Sequence, residues 1–251
     1  MNLTIILLSK DDDEKLIYFL ESFNNNSPNC RLIVMDYGRK RKLISRFIHK
    51  NEKIQIIHNQ NKGIYSSINK SLEFIKTDYY LVLGLDDQLD FRLIDSFQKI
   101  LSESKVDLLF AGVIKSNKKL LYLKTDNKTI LKGPTGVFPS HTGGIAIRTK
   151  LHDKFGKYSL RFKVTADLFF ISKCLRNGSS SKLFKKYLCK VGDKGFSKRN
   201  ELLAEYECFL IRNILGESRL ISLIILIFRM SKRIIKKFFL GKFFNKSKLI
   251  Y

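Results

Sequence analysis

The sequence is short of acidic residues and lacks features that define several common classes of protein. Its 251 residues hold 23 Asp and Glu against 47 Lys and Arg, a formal net charge of +24, and they include no tryptophan and only three prolines. Such an excess of positive charge indicates a polyanionic partner: nucleic acid, an anionic membrane or a phosphate-bearing substrate. A simple preference for Lys on solvated faces would also produce it.

Cysteine is scarce, and no long hydrophobic run is present. Four cysteines occur, no two of them in a CxxC motif, which favours buried, reduced thiols over a metal or redox site. No run approaches the roughly 20 apolar residues of a membrane span. The opening MNLTIILLSKDDD turns acidic too early for a signal peptide. We therefore expect a cytoplasmic protein, with a peripheral position on the inner face of the cell membrane suggested by its C-terminal tail.

The first ninety residues alternate between apolar runs and amphipathic segments. The apolar runs predict strands at residues 3–8, 32–35, 54–57 and 79–85, and the segments between them predict helices. This alternation is typical of an α/β protein with a parallel, doubly wound sheet. No GxGxxG follows the first strand, which weighs against a dinucleotide-binding enzyme.

Polar residues follow each predicted strand, and right-handed crossovers should collect them at one edge of the sheet. They are Ser9, Asp36, residues 59–62, and the pair Asp86 and Asp87. Open α/β sheets bind ligands at this edge. Two adjacent carboxylates need a positive partner, and a divalent cation is a natural one because hard cations prefer carboxylate oxygens. The alternative is that Asp86 and Asp87 merely cap the helix that begins near Asp90.

The second half of the sequence is less regular. It predicts helices at residues 91–101, 164–175 and 202–215, and strands at residues 106–113, 119–124, 145–147 and 181–191. Two segments read as loops, GPTGVFPSHTGG at residues 133–144 and the basic GDKGFSKRN at residues 192–200.

Two blocks of this sequence resemble family 2 inverting GT-A glycosyltransferases, many of which build bacterial surface polysaccharides such as colanic acid. KGIYSSINKSLEFIKTDYYLVLGLDD at residues 62–87 is similar to the family signature KGIYDAMNKGI that leads to SDD. FPSHTGGIAIRTKLHDKFGKYSLRFKVTADLFFISKCLRNG at residues 138–178 is similar to the second family block. The sequence departs from the pattern at Ser66 and Ser67, where Asp-Ala is usual, and at Gly84 and Leu85.

The resemblance implies a GT-A fold, a nucleotide-diphosphate sugar donor, inversion, and Mg²⁺ or Mn²⁺ as cofactor. Asp87 would be the main metal ligand, with Asp86 on the metal or the ribose. Asp167 would be the general base that takes the proton of the acceptor hydroxyl. From the residues alone, Asp167 is equally an acid in the first turn of a helix, where it favours the helix dipole.

The resemblance also places residues around the donor and the acceptor. Asp36 would hydrogen-bond the nucleotide base, Lys62 and Arg199 would neutralise the diphosphate, and His141 would lie near the acceptor. Asn69 matches the family but lies in a predicted helix, where a packing role is as plausible. The predicted nucleotide-sugar site consists of Ser9, Asp36, Lys62, Asn69, Asp86 and Arg199.

The C-terminal segment carries no acidic residue from Arg219 onward. On a helix its basic and apolar residues separate onto two faces, the first with Arg229, Lys232, Arg233, Lys236 and Lys237, the second with Ile227, Ile234, Ile235, Phe238 and Phe239. This pattern predicts a basic amphipathic helix on an anionic membrane surface. The alternative is a helix packed on its own domain. We expect a GT-A domain at residues 1–215 and a helical tail at residues 216–251.

Three functional hypotheses follow. The first is a hexosyl- or N-acetylhexosaminyl-transferase that uses a lipid-linked or saccharide acceptor to build a capsule, O-antigen or exopolysaccharide. The second is a nucleic-acid-binding protein, suggested by charge alone; no binding motif supports it, and we expect no nucleic-acid partner. The third is an inactive relative of the glycosyltransferases, because Ser66 and Ser67 lie beside the predicted donor site.

Overall fold

The computed structural model describes residues 2–26, 28–37, 51–59, 63–115, 120–121, 141–192 and 195–246. The chain divides into two units, residues 1–195 and residues 196–251. The sequence analysis put a boundary at residue 215, so the helix that precedes this point is grouped here with the tail. The predicted basic helix after the second strand, around Leu43 and Phe47, lies outside the described residues.

Four parallel strands form the first half of the sheet in the order β3-β2-β1-β4. They are β1 (Leu3–Ser9), β2 (Arg31–Asp36), β3 (Ile54–His58) and β4 (Tyr79–Gly84). β1 and β4 are buried along almost their whole length. A strand covered on both faces needs apolar residues at successive positions, which explains the continuous apolar runs in the sequence.

The helices that connect these strands follow the apolar periodicity. α1 (Asp13–Asn26) buries Leu16, Phe19, Leu20 and Phe23, and its acidic first turn favours the positive end of the helix dipole. α2 (Ile64–Ser71) begins after Gly63 and ends in a 3-10 turn at Leu72–Phe74. Gly63 has a φ of 148°, a conformation that strains residues with a side chain. α3 (Ile94–Ser104) follows the 3-10 turn Phe91–Leu93.

The second half of the sheet is mixed. Its strands are β5 (Gln88–Leu89), β6 (Leu108–Lys115), β7 (Leu120–Leu121), β8 (Ile145–Arg148) and β9 (Ser181–Val191), and its helices are α4 (Leu151–Phe155) and α5 (Ala166–Arg176). The sheet continues in the order β4-β8-β6-β9-β5, with β7 paired to β6. β8 runs antiparallel to β4 and β6, whereas β9 runs parallel to β6 with an irregular register near Gly112. β5 and α4 were not predicted, because two and five residues carry too little periodicity.

The second unit contains α6 (Phe196–Arg199), α7 (Glu201–Ile214) and α8 (Arg219–Lys246). α7 and α8 pack together, and the buried Glu205 accepts a hydrogen bond from Arg233 Nε at 2.9 Å. Arg229 also approaches Glu205, at 3.5 Å, and Arg233 Nη1 lies 2.7 Å from Glu201. Two of the five basic residues predicted to face a membrane are therefore paired with acids of α7. Among the described helices, none is both long and apolar enough to cross a membrane.

Candidate functional site

The carboxyl ends of β1, β2 and β3 bring three polar side chains to one edge of the sheet. Ser9 lies opposite Asp36, and Asp36 lies opposite His58. Ser9 and Asp36 are buried, and His58 Nδ1 is 3.2 Å from Asp36 Oδ2. The strand ends thus meet as the sequence predicted. The roles of Ser9 and Asp36 in nucleotide binding stay predictions, and Lys62 lies outside the described residues.

Asp86 and Asp87 form the turn that joins β4 to β5, beside the end of β1. Asp87 is 4% exposed, and its two carboxylate oxygens accept hydrogen bonds from the amides of Gly84 at 2.9 Å and Gly192 at 3.4 Å. A Cβ at Gly192 would lie 2.7 Å from the Asp86 carbonyl oxygen. Glycine is needed there because the end of β9 passes so close to the acid pair.

His141 lies beside this pair of acids. It lies directly before the 3-10 turn Thr142–Gly144, and its Nδ1 is 3.9 Å from Asp87 Oδ2. A Cβ at Gly143 would approach side chains of β4 and β9 to 2.9 Å, so glycine lets this turn pack onto the sheet. Burial raises the pKa of the Asp87 carboxyl, whereas His141 and the two backbone amides lower it. The sequence analysis placed His141 near the acceptor, which stays a prediction; in the structure it lies beside Asp87.

Asp167 is the second residue of α5 and is partly exposed. Its Oδ1 accepts a hydrogen bond of 2.6 Å from the hydroxyl of Tyr65, a buried residue of α2. Burial raises the pKa of the Asp167 carboxyl above its ordinary value. The Tyr65 hydroxyl, the Leu168 amide and the charge of His141 oppose that rise. His141 therefore acts electrostatically on both Asp87 and Asp167.

Asn69 connects α2 to the segment that precedes α5. Its Nδ2 donates to the Tyr158 carbonyl at 2.8 Å, and its Oδ1 accepts from the Tyr158 amide at 2.9 Å. Both polar atoms of the side chain are thus engaged by backbone, which fits the packing role considered from the sequence. Its predicted contact with the donor stays a prediction. The predicted contact of Arg199 with the donor also stays a prediction; Arg199 lies in α6 of the second unit.

The acid pair suits a hard divalent cation. Mg²⁺ is commonly bound by one or two carboxylates, with water and substrate phosphates completing its octahedron. Asp86 and Asp87 supply such a pair, and Asp86 is the more exposed of the two. Within the described residues, no group of three or more His, Cys, Asp or Glu could hold a metal by itself. The fit therefore depends on phosphate and water oxygens in addition to the two carboxylates.

Sequence reasoning missed several groups at this site. Tyr65 lies in the KGIY block but was not singled out, although a tyrosine in a conspicuous motif is a usable signal. His58 is a polar residue at the end of a strand, the same signal that identified Asp36. The amides of Gly84 and Gly192 could not be found, because the sequence does not show which way a backbone N–H points.

Comparison with known proteins shows the family and the fold of the chain. The family model for glycosyl transferase family 2 matches residues 4–169, and the chain belongs to this family. Among curated proteins, none matches the sequence.

Solved structures of S. aureus TarS share the fold. The chain aligns with TarS at a TM-score of 0.64 and 14% identity, covering 88% of this chain and 41% of TarS. It aligns with TarS 1-349 in complex with UDP at 0.65 and 13%, and with UDP-GlcNAc at 0.63 and 14%, covering 68% and 69% of those chains. The predicted GT-A fold is confirmed. The chain spans less than half the length of the larger TarS chain.

Proposed function

We propose that the protein is an inverting, metal-dependent glycosyltransferase that moves a sugar from a nucleotide-diphosphate donor to an acceptor hydroxyl. The arrangement that carries this proposal is Asp86–Asp87 at the carboxyl edge of a family 2 fold, with Asp167 on α5 and His141 acting on both sites. TarS binds UDP and UDP-GlcNAc at a similar fold, which favours a UDP-sugar and a hexosyl or N-acetylhexosaminyl transfer. The product would be a capsule, O-antigen or exopolysaccharide.

The strand ends would bind the donor. Ser9 and Asp36 would hold the nucleoside, with Asp36 fixed by its contact with His58. Asp86 and Asp87 would hold Mg²⁺ or Mn²⁺. When bound, the cation neutralises the negative charge that develops on the departing diphosphate. Because Asp87 is already held by the Gly84 and Gly192 amides, its carboxylate would need little reorganisation.

Asp167 would act as the base. An inverting transfer is a single displacement: the acceptor oxygen bonds to the anomeric carbon as the sugar–phosphate bond breaks. The acceptor proton must leave in that step, and one carboxylate suffices to take it. Retaining glycosidases differ because a second carboxylate acts there as the nucleophile.

Donor binding gives the first test. We expect thermal unfolding with Mn²⁺ to shift upward with UDP-sugars more than with GDP-, dTDP- or CMP-sugars. At 100 times its Kd, a ligand stabilises a protein by about 2.7 kcal/mol, a readily measured effect. Binding should be lost in excess EDTA. Failure of all sugar nucleotides, together with salt-sensitive binding to DNA or RNA, would instead support the nucleic-acid hypothesis.

We also propose that the second unit binds an anionic membrane, where a lipid-linked acceptor would be found. α8 exposes eight large apolar side chains, each at least 43% exposed: Leu220, Ile221, Leu223, Ile224, Ile227, Phe228, Ile234 and Ile235. No acidic residue occurs from Arg219 onward. An apolar stripe beside basic residues is typical of helices that lie in a membrane interface. Because Arg229 and Arg233 are paired with α7, the apolar stripe and Lys232 would make the contact.

The variant Ile224→Ser/Phe228→Ser, made in the full-length chain, tests this contact. We expect its partition onto anionic vesicles to fall at least about 100-fold, since two buried apolar side chains together contribute about 3–6 kcal/mol. Co-sedimentation with anionic and neutral vesicles at two salt concentrations measures it. Leu160→Ser, at a 65% exposed position of the first unit, is the matched control. Equal sedimentation of all three proteins would contradict the proposal, and loss of helical circular dichroism would show that the stripe is a packed face.

A further inference from the structure

Tyr65 makes the closest described contact with the predicted base. Its hydroxyl is 2.6 Å from Asp167 Oδ1 and 2.8 Å from the Val164 carbonyl oxygen. Tyr65 is 7% exposed, so solvent hardly competes for these hydrogen bonds. A carbonyl and an ionised carboxylate are both pure acceptors, which means that the hydroxyl is the donor. Hydrogen bonds to a charged acceptor are shorter and stronger than neutral ones, and the 2.6 Å distance lies in the range of O–H···O⁻ bonds.

The surroundings keep the Tyr65 hydroxyl protonated. Burial, followed by the charge of Asp167, raises the pKa of Tyr65 well above its ordinary value. Two titratable groups act on the pKa of Asp167: Tyr65 from α2 and His141 from the loop before β8. Of these two, only Tyr65 gives the carboxylate a side-chain hydrogen bond. The hydroxyl of Tyr158, from the segment before α5, lies 2.7 Å from the Tyr80 hydroxyl.

We propose that Tyr65 is a positioning residue that holds the Asp167 carboxylate ionised and correctly oriented for proton transfer. The inference rests on the proposed role of Asp167 as the base. In the resting enzyme, Tyr65 donates to the ionised carboxylate. After Asp167 has taken the acceptor proton, the carboxyl is a weaker acceptor, and the Val164 carbonyl offers the hydroxyl a second partner. Tyr65 thus retains an acceptor in both protonation states of the base.

The hydrogen bonds of Asn69 to the backbone of Tyr158 help to fix the geometry of the contact between Tyr65 and Asp167. α2 carries both Tyr65 and Asn69, and Asn69 is hydrogen-bonded twice to the backbone of Tyr158. The rings of Tyr65 and Tyr158 also lie in contact, with centroids 5.8 Å apart. α2 is therefore anchored to the segment leading into α5, and the Tyr65 hydroxyl cannot move freely relative to Asp167.

The experiment compares wild type, Tyr65→Phe and Tyr158→Phe, with aspartate carboxyl carbons labelled for carbon-13 NMR. The Asp167 signal is assigned by its absence in Asp167→Asn. We expect Tyr65→Phe to raise the pKa of the Asp167 carboxyl, because the ionised form loses a donor. The acid limb of kcat/KM should move to higher pH, and kcat should fall about 10- to 100-fold with little change in donor KM. Tyr158→Phe removes a buried hydroxyl from the same cluster and should leave both titrations unchanged.

A second substitution covers the case in which Tyr65→Phe does not fold. Incorporating 3-fluorotyrosine at position 65 retains the shape and strengthens the donor, so the pKa and the acid limb should both move to lower values. Turnover is followed with UDP-N-acetylglucosamine or the sugar nucleotide selected by the thermal-shift screen. An unchanged pKa of the Asp167 carboxyl in both variants would overturn the proposed role of Tyr65 but would leave the proposed role of Asp167 standing. A shifted pKa with an unchanged rate profile would overturn Asp167 as the base, and the inference with it.

Discussion

Asp87→Ala is expected to abolish sugar transfer and cation-dependent donor binding. Asp87 would be the main ligand of the proposed cation, which would neutralise the charge of the leaving diphosphate, and the alanine variant lacks that ligand. Loss of a positioned electrostatic contact typically costs about 10²–10³-fold in kcat, and loss of the cation site should cost more. Turnover and Mn²⁺-dependent thermal shifts with the donor measure both effects.

Because Asp87 is buried, the experiment also needs a variant that disturbs the structure less than alanine does, and a control variant. Alanine leaves the Gly84 and Gly192 amides without their acceptor, so some loss of stability is expected as well. Asp87→Asn removes the charge but keeps one of the two acceptor oxygens, so it perturbs the Gly84 and Gly192 amides less than alanine does. Asp95→Ala, at an exposed acid of α3, should behave as wild type. Undiminished turnover in Asp87→Asn, or full wild-type activity in excess EDTA, would rule out the cation site.

Asp167→Asn is expected to retain donor binding and to lose about 10²–10⁴-fold in transfer rate, the usual contribution of a general base. The asparagine carbonyl can still accept the Tyr65 hydrogen bond, so the local structure should survive. The substitution removes the negative charge and, with it, the ability to take a proton. Steady-state rates at saturating donor, with thermal shifts as the binding control, make the measurement.

The wild-type pH profile provides an independent check of this role. A base acts while it is ionised, so activity is present above its pKa and is lost as the pH falls through it. Because burial raises the pKa of Asp167, the acid limb should lie above the ordinary range of aspartate. Wild-type turnover in Asp167→Asn would discard this base. A product with retained anomeric configuration would discard the single displacement itself.

The departure from the family signature at Ser66 and Ser67 is accommodated structurally. Ser67 is fully buried, yet its hydroxyl donates to the Gly63 carbonyl at 3.0 Å. A serine thus replaces a small apolar residue without leaving a polar group unsatisfied. Ser66 is only partly exposed, and no contact of its side chain distinguishes an active enzyme from an inactive one. The assays of Asp87 and Asp167 variants against wild type decide that question.

The sequence by itself determined the parallel half of the sheet and the acids at its edge. Buried strands require continuous apolar runs, and a run ends where polar residues begin, so the bounds of β1 and β4 and the position of Asp86 and Asp87 could be read directly. The family blocks, which occur in the expected order along the chain, predicted Asp167 as the base, and this role stays a prediction.

Only the tertiary structure decided which groups meet. Tyr65 and Asp167 are 102 positions apart, and Gly192 and Asp87 are 105 apart, yet both pairs are hydrogen-bonded. Likewise, Arg229 and Arg233, which belong to the predicted basic face of α8, form ion pairs with acids of α7. Sequence periodicity reports which face of one element is apolar. It contains no information on which distant element packs against that face, and hydrogen bonds and ion pairs depend on that packing.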